Sequence, residues 1–170
     1  MSDTIKLGIS ACLLGEEVRY NGEHRLDRYL KYNLGQLVEY VPVCPEVECG
    51  MSIPREPLQL EGDIKHPRLL TINTHKDYTK QMKSWGEMRL AELKKENLCG
   101  YIFKSGSPSC GIGGIEVFNE HCVIAGKGIG IWTRMVMDHF PLLPVEEECC
   151  LHDSGLRKNF MERVFLLSKA

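Results

Sequence analysis

Three short apolar runs, each no longer than a strand and each emptying into a cysteine loop, constrain this chain more than any other feature. The run 5–9 leads through Ser10 and Ala11 to Cys12. The run 41–43 stops at Cys44-Pro45, where proline ends ladder pairing, and the run 101–103 passes through a Ser/Gly/Pro loop to Cys110. Stretches with helical spacing lie between them. Apolar residues at Leu26, Leu30, Leu34, Leu37 and Val38 predict a helix over 26–40. Tyr78, Met82, Trp85, Leu90 and Leu93 share an arc opposite Lys80, Lys83, Glu87, Lys94 and Lys95, which predicts the longest helix over 77–97, with Asn97 and Gly100 bracketing its end. Strands alternating with helices specify an α/β class: a single three-layer domain with a mostly parallel, Rossmann-like sheet and helices on both faces. In such sheets ligands sit beyond the carboxyl ends of the strands, where Cys12, Cys44 and Cys110 all project.

The prolines at 54, 57 and 67 mark 52–67 as a long loop with at most a short edge strand, and 69–72 is the candidate for that strand. Glycines frame a hairpin (115–118 and 123–125) and a helix over 129–139. Pro141 and Pro144 then break the chain, and Asp153 N-caps a last helix whose Leu156, Phe160, Val164 and Leu167 share a face. The expected organisation is a unit over 1–140 followed by a C-terminal extension, 141–170, that carries a helix.

Eight cysteines in 170 residues are the abnormal count. The start, MSDTIKLGIS, lacks a basic segment followed by an apolar one, and no apolar run approaches the roughly 18 residues of a membrane span. The expectation is a reducing cytoplasm and no membrane, where thiols are either small buried hydrophobes or ligands. With 21 Lys+Arg against 23 Asp+Glu the net charge is −2, which removes the simplest case for binding nucleic acid. Structural zinc favours paired short spacings, and the only comparable ones are Cys44 to Cys49 and Cys149-Cys150. Iron–sulfur clusters tolerate dispersed thiolates, and three cysteines on a four-iron cluster leave one iron open as a Lewis acid with affinity for soft sulfur donors. Cys99 and Cys122 suit an inert role. For Cys12, Cys44 and Cys110, spacing alone leaves cluster ligation and inert burial about evenly matched.

Three blocks, ISACLLGEEVRYNG from Ile9, PVCPEVECGMSIPREP from Pro42 and FKSGSPSCG from Phe103, resemble the thiouracil desulfurase family, iron–sulfur enzymes that remove sulfur from thiolated uracil. The resemblance runs from about Lys6 to Phe140. It implies a [4Fe-4S] cluster on Cys12, Cys44 and Cys110 with one iron not bound by protein and free for the substrate sulfur. It also implies an acid/base residue at Glu46 and a catalytic serine at Ser107. The implied activity is non-redox desulfidation of 2-thiouracil, 4-thiouracil or 4-thiouridine with release of hydrogen sulfide. The alternative in a different class is a sulfur-binding or sensing module without turnover. The tail from Pro141 is similar to the linker that, in longer relatives acting on 4-thiouridine of transfer RNA, leads into a second helical domain. Transfer RNA thus enters as a partner that net charge does not support. Ser10, Arg19, Tyr20, Arg55 and Lys104 share the three loops and are candidate pocket residues.

Overall fold

The apolar runs form strands in the computed structural model, which describes residues 4–170. Eight strands are found among the described residues: β1 (Lys6–Ser10), β2 (Glu39–Val43), β3 (Leu58–Gly62), β4 (Pro67–Thr71), β5 (Gly100–Phe103), β6 (Ile115–Phe118), β7 (Ile124–Gly128) and β8 (Val145–Glu147). They alternate with four α-helices: α1 (Pro45–Glu48), α2 (Thr79–Glu96), α3 (Ile131–His139) and α4 (Ser154–Ser168). The first sheet, β2-β1-β5-β8, is wholly parallel, so the mostly parallel, Rossmann-like α/β reading holds.

Side chains alternate across this sheet, as the pleat requires. Leu7, Ile9 and Ile102 pack on one face with Leu30, Leu34, Phe160 and Val164. Tyr101 and Phe103 pack on the other with Met82, Trp85, Leu93 and Trp132 of α2 and α3. Gly8 lies beside Tyr101 in the register, and a Cβ there would overlap the ring, so only glycine lets the aromatic lie flat on the sheet. Trp132 Nε1 donates to the Tyr101 hydroxyl at 3.0 Å, satisfying two polar atoms inside the core.

Three expectations are corrected. The segment 52–67 is more than a loop: β3 is an interior strand of a second sheet, ordered β4-β3-β6-β7, paired antiparallel to β4 and parallel to β6. Its prolines flank 58–62 and so bracket the strand without breaking its ladder. The helix over 26–40 is replaced by a wide π turn (Tyr29–Asn33) and a tight 3-10 turn (Leu34–Gln36). Leu30 and Leu34 are buried as their spacing demands, but Asp27 caps the Leu30 amide at 3.1 Å and the Tyr40 hydroxyl donates to the Leu30 carbonyl at 2.8 Å, so local polar partners compete with a regular helical ladder. On α4, Asp153 Oδ1 caps the Leu156 amide at 2.9 Å as predicted, yet only Phe160 and Val164 of the expected stripe are fully buried, and Leu156 is exposed.

Residues 141–170 contribute β8 to the edge of the parallel sheet and α4 to its face. Among the described residues no helix is long and apolar enough to cross a membrane.

Candidate active site

Adjacent parallel strands deliver the three cysteines to one end of the sheet. Cys12 follows β1 in a 3-10 turn (Ala11–Leu14), Cys44 follows β2 as the N-cap of α1, and Cys110 closes the loop after β5. All three line a single cavity of about 310 Å³, together with Glu46, Ser107 and the five candidate pocket residues Ser10, Arg19, Tyr20, Arg55 and Lys104. Burial pushes the Cys12 thiol up to about 11 and the Cys44 thiol up to about 12, and drives Cys110 well above the ordinary thiol range. Such thiols keep their protons unless a cation compensates the thiolate.

The donor set fits a cluster better than a single ion. Three sulfurs on one tetrahedral zinc, with bonds of about 2.3 Å, stand about 3.8 Å apart. The sulfurs of Cys12, Cys44 and Cys110 do not all lie within 4.8 Å of one another; among the described residues the trio that does is Glu147, Cys149 and Cys150, beyond β8. Zinc on Cys44 and Cys49 is disfavoured too, because Cys49 does not line the cavity into which Cys12, Cys44 and Cys110 are brought together.

Each ligand loop is braced by its own hydrogen bonds. The Cys44 amide donates to Glu48 Oε2 at 2.9 Å, and Glu48 is paired with Arg89 of α2 at 3.0 Å. The Cys110 loop rests on the amino end of α3, whose Ile131 and Trp132 amides donate to the Pro108 and Ser109 carbonyls at 3.1 and 3.0 Å; Thr133 Oγ1 donates to the Cys110 carbonyl at 2.7 Å. Gly130 lets the helix approach: a Cβ there would lie 2.6 Å from the Ser109 carbonyl carbon and oxygen and 2.8 Å from the Cys110 amide nitrogen. Ser107 Oγ accepts from the Ser109 and Cys110 amides at 3.2 and 3.1 Å, so this hydroxyl already shapes the loop.

Glu46, in the first turn of α1, is gripped from two sides. Arg55 Nε and Nη2 donate to its Oε2 at 2.9 and 2.6 Å, and Ser109 Oγ donates to its Oε1 at 2.9 Å. The side chains of Arg55 and Glu46 are only 7% and 15% exposed, so the carboxylate has one orientation. Sequence reasoning missed Ser109 and Glu148. Glu148 accepts from Lys104 Nζ at 2.6 Å and from the Ser105 amide and hydroxyl at 2.7 Å each, tying the end of β8 to the Cys110 loop. Ser109 sits in the FKSGSPSCG block but carries no local sign of its partner, and Glu148 reads as one of three consecutive glutamates.

A model of the 2-thiouracil desulfurase family matches residues 7–148, a span that contains every residue of this cavity. The chain belongs to the 2-thiouracil desulfurase family. As a member of that family it is an enzyme of C–S bond cleavage. It is 34% identical over 110 residues to the uncharacterized protein YbbK of Bacillus subtilis (strain 168), covering 62% of this chain and 72% of that protein. Its fold is similar to the solved structure of the [4Fe-4S]-dependent thiouracil desulfidase TudS, with a TM-score of 0.71 and 28% identity over 92% of this chain and 99% of that one.

Proposed function

We propose that this family member is a [4Fe-4S]-dependent desulfidase that hydrolyses a thiolated uracil to its oxo form and releases hydrogen sulfide. The observation that carries this reading is the meeting of Cys12, Cys44 and Cys110 with Glu46 in one cavity at adjacent strand ends. The three thiolates would hold the cluster, with one iron not bound by protein. When bound, the cluster supplies a Lewis-acidic iron with affinity for soft sulfur, which draws electron density from the C–S bond.

The chain's own residues supply the proton chemistry. Glu46, oriented by Arg55 and Ser109, takes a proton from the water that adds to the thiocarbonyl carbon and returns it to sulfur as the C–S bond breaks; the water's second proton then leaves the new hydroxyl as C=O forms and passes to the departing sulfide by the same carboxylate. The balance is C=S plus H2O giving C=O plus H2S, with no electrons gained or lost. Because Ser107 Oγ already accepts two amide hydrogen bonds, its hydroxyl hydrogen is left to donate to the substrate.

The cavity of about 310 Å³ would be shared between the cluster and the substrate, so the room left favours a small flat base such as 2-thiouracil or 4-thiouracil, or the base of 4-thiouridine. Transfer RNA would have to present its 4-thiouridine flipped out of the stack. In this reading 1–140 is the desulfidase unit, and the extension 141–170 braces it through Glu148.

Anaerobically purified protein is expected to carry about four irons and four sulfides per chain and to release sulfide from 2-thiouracil. Glu46→Gln is expected to keep the iron and lose about 100-fold or more of the turnover. Zinc without iron would overturn the cluster. An intact cluster that releases no sulfide from 2-thiouracil, 4-thiouracil or 4-thiouridine would leave a sulfur-binding module instead.

A further inference from the structure

The cavity does not use every thiol that the fold brings together. β8 ends at Glu147, and the chain then turns through Cys149 into a 3-10 turn, Cys150–His152. Successive side chains of a strand point to opposite faces, but Cys149 has helical backbone angles, φ −63° and ψ −33°. The turn gathers the two sulfurs: Cys149 Sγ, Cys150 Sγ and one carboxylate oxygen of Glu147 all lie within 4.8 Å of one another. Cys149 is exposed, and Cys150 and Glu147 are half-buried, so the group is open to solvent. None of its members lines the cavity of Cys12, Cys44 and Cys110.

What the group lacks is positive charge. Of the three consecutive glutamates Glu148 is paired with Lys104, whereas among the described residues Glu146 and Glu147 enter no salt bridge. Glu147 Oε2 accepts one long hydrogen bond, from the Ile112 amide at 3.3 Å, and Glu146 Oε1 accepts the Glu147 amide at 3.0 Å. Burial, and then the negative charge of Glu146 and of the neighbouring Cys149, push the Cys150 thiol up to about 12. The negative field that holds this proton favours a metal cation in its place. Sulfur selects the ion. Magnesium and calcium take oxygen ligands, whereas two thiolates and a carboxylate suit a tetrahedral ion of the zinc type, with water in the fourth position. Thiolates on one zinc stand about 3.8 Å apart, so closing on the ion asks for a movement of about 1 Å at most, which side-chain rotation supplies.

We propose that Cys149, Cys150 and Glu147 form a second metal site, which takes one thiophilic divalent cation of the zinc type through two sulfurs and a carboxylate oxygen. Binding exchanges the two thiol protons for the ion, and nothing is oxidised or reduced. The ion fastens the end of β8 to the turn that precedes α4. Glu148, which clamps Lys104 and Ser105, lies between the ligands in the chain, and Glu147 holds the amide of Ile112, two positions after Cys110. The site therefore steadies the strap that braces the Cys110 loop. It does not depend on the desulfidase reading.

The test uses anaerobic, reduced protein with its cluster assembled, so that the cavity thiols are occupied, and titrates it with Zn2+ by calorimetry and with Co2+ by difference absorption. Wild type is expected to bind about one Zn2+ per chain beyond its iron, and Co2+ to show the charge-transfer absorption of cobalt–thiolate bonds in tetrahedral geometry, lost when Zn2+ displaces it. Cys149→Ser and Cys150→Ser are each expected to weaken Zn2+ by about 100-fold or more, above the loss that follows removal of a mere supporting partner, and Glu147→Gln by about tenfold or more. Cys149 is exposed, so its variant leaves the fold undisturbed, which far-UV circular dichroism checks. Cys122→Ser, which alters an exposed thiol outside the group, should change nothing. Absence of cobalt–thiolate absorption, or Zn2+ affinity unchanged in Cys149→Ser or Cys150→Ser, would overturn the proposal. A protein that assembles no cluster would defeat the desulfidase reading, while the difference between wild type and the Cys149→Ser and Cys150→Ser variants would still decide this site.

Discussion

Replacing Glu148 with glutamine keeps the side chain's shape and removes its charge, so it isolates what the carboxylate does for the Cys110 loop. The carboxylate accepts three hydrogen bonds of 2.6 to 2.7 Å from Lys104 and Ser105. The side chains of Lys104 and Glu148 are 21% and 11% exposed, so water replaces the pair only in part. A hydrogen bond to a charged group contributes about 1.5–3 kcal/mol, and breaking a fully buried ion pair costs about 3–5 kcal/mol. Glutamine still accepts through its carbonyl and Lys104 recovers some hydration, so we expect a loss of about 2–3 kcal/mol near neutral pH.

Burial pushes the Glu148 carboxyl up, but the hydrogen bonds from Lys104 and Ser105 outweigh it, and the group titrates below its ordinary 4.5. A depressed folded-state pKa means a contribution that is complete above the unfolded value and lost as pH falls through the folded one. Urea unfolding of wild type and Glu148→Gln under anaerobic conditions should therefore show a constant gap from about pH 7 to 5 that narrows below about 4.5. A gap under about 0.5 kcal/mol at neutral pH, or one that persists unchanged into acid, refutes the clamp.

Cys110→Ala is expected to abolish cluster retention, because two thiolates would be left to hold it; iron analysis of anaerobic protein checks this. Gly130→Ala forces the start of α3 away from the Ser109 carbonyl and the Cys110 amide, so iron retention should fall while far-UV circular dichroism stays close to wild type. Phe160→Ala empties a fully buried site between α4 and the sheet and should destabilise by about 3–5 kcal/mol in urea unfolding, with the cavity residues untouched.

Much of the site could be read along the chain because strand, loop and cysteine are contiguous there. An apolar run followed at once by a Cys-bearing Gly/Pro loop names both the strand end and the residue placed on it, as at Cys12, Cys44 and Cys110. Helix α2 was equally legible, since its buried Met82, Trp85, Leu90 and Leu93 follow helical spacing and Asn97 ends it in the left-handed region. Failures came where the pattern was short or polar. β8 is three residues with two glutamates and exists because the backbone of β5 pairs with it, an interaction that leaves no mark on its side chains. β3 was obscured by prolines that lie outside it.

By itself the order of residues determined the strand ends and the cysteine loops that follow them, because each depends on neighbours in the chain; Glu46 came forward only through the resemblance of its block to a family. The tertiary structure decided which strands are adjacent, and hence that three thiols 32 and 66 positions apart share one cavity. It alone decided that Ser109 and Arg55 orient Glu46 and that Glu148 closes the Cys110 loop. Hydrogen bonds and burial are properties of groups brought together across the fold, and no local pattern records which distant partner a polar side chain will meet.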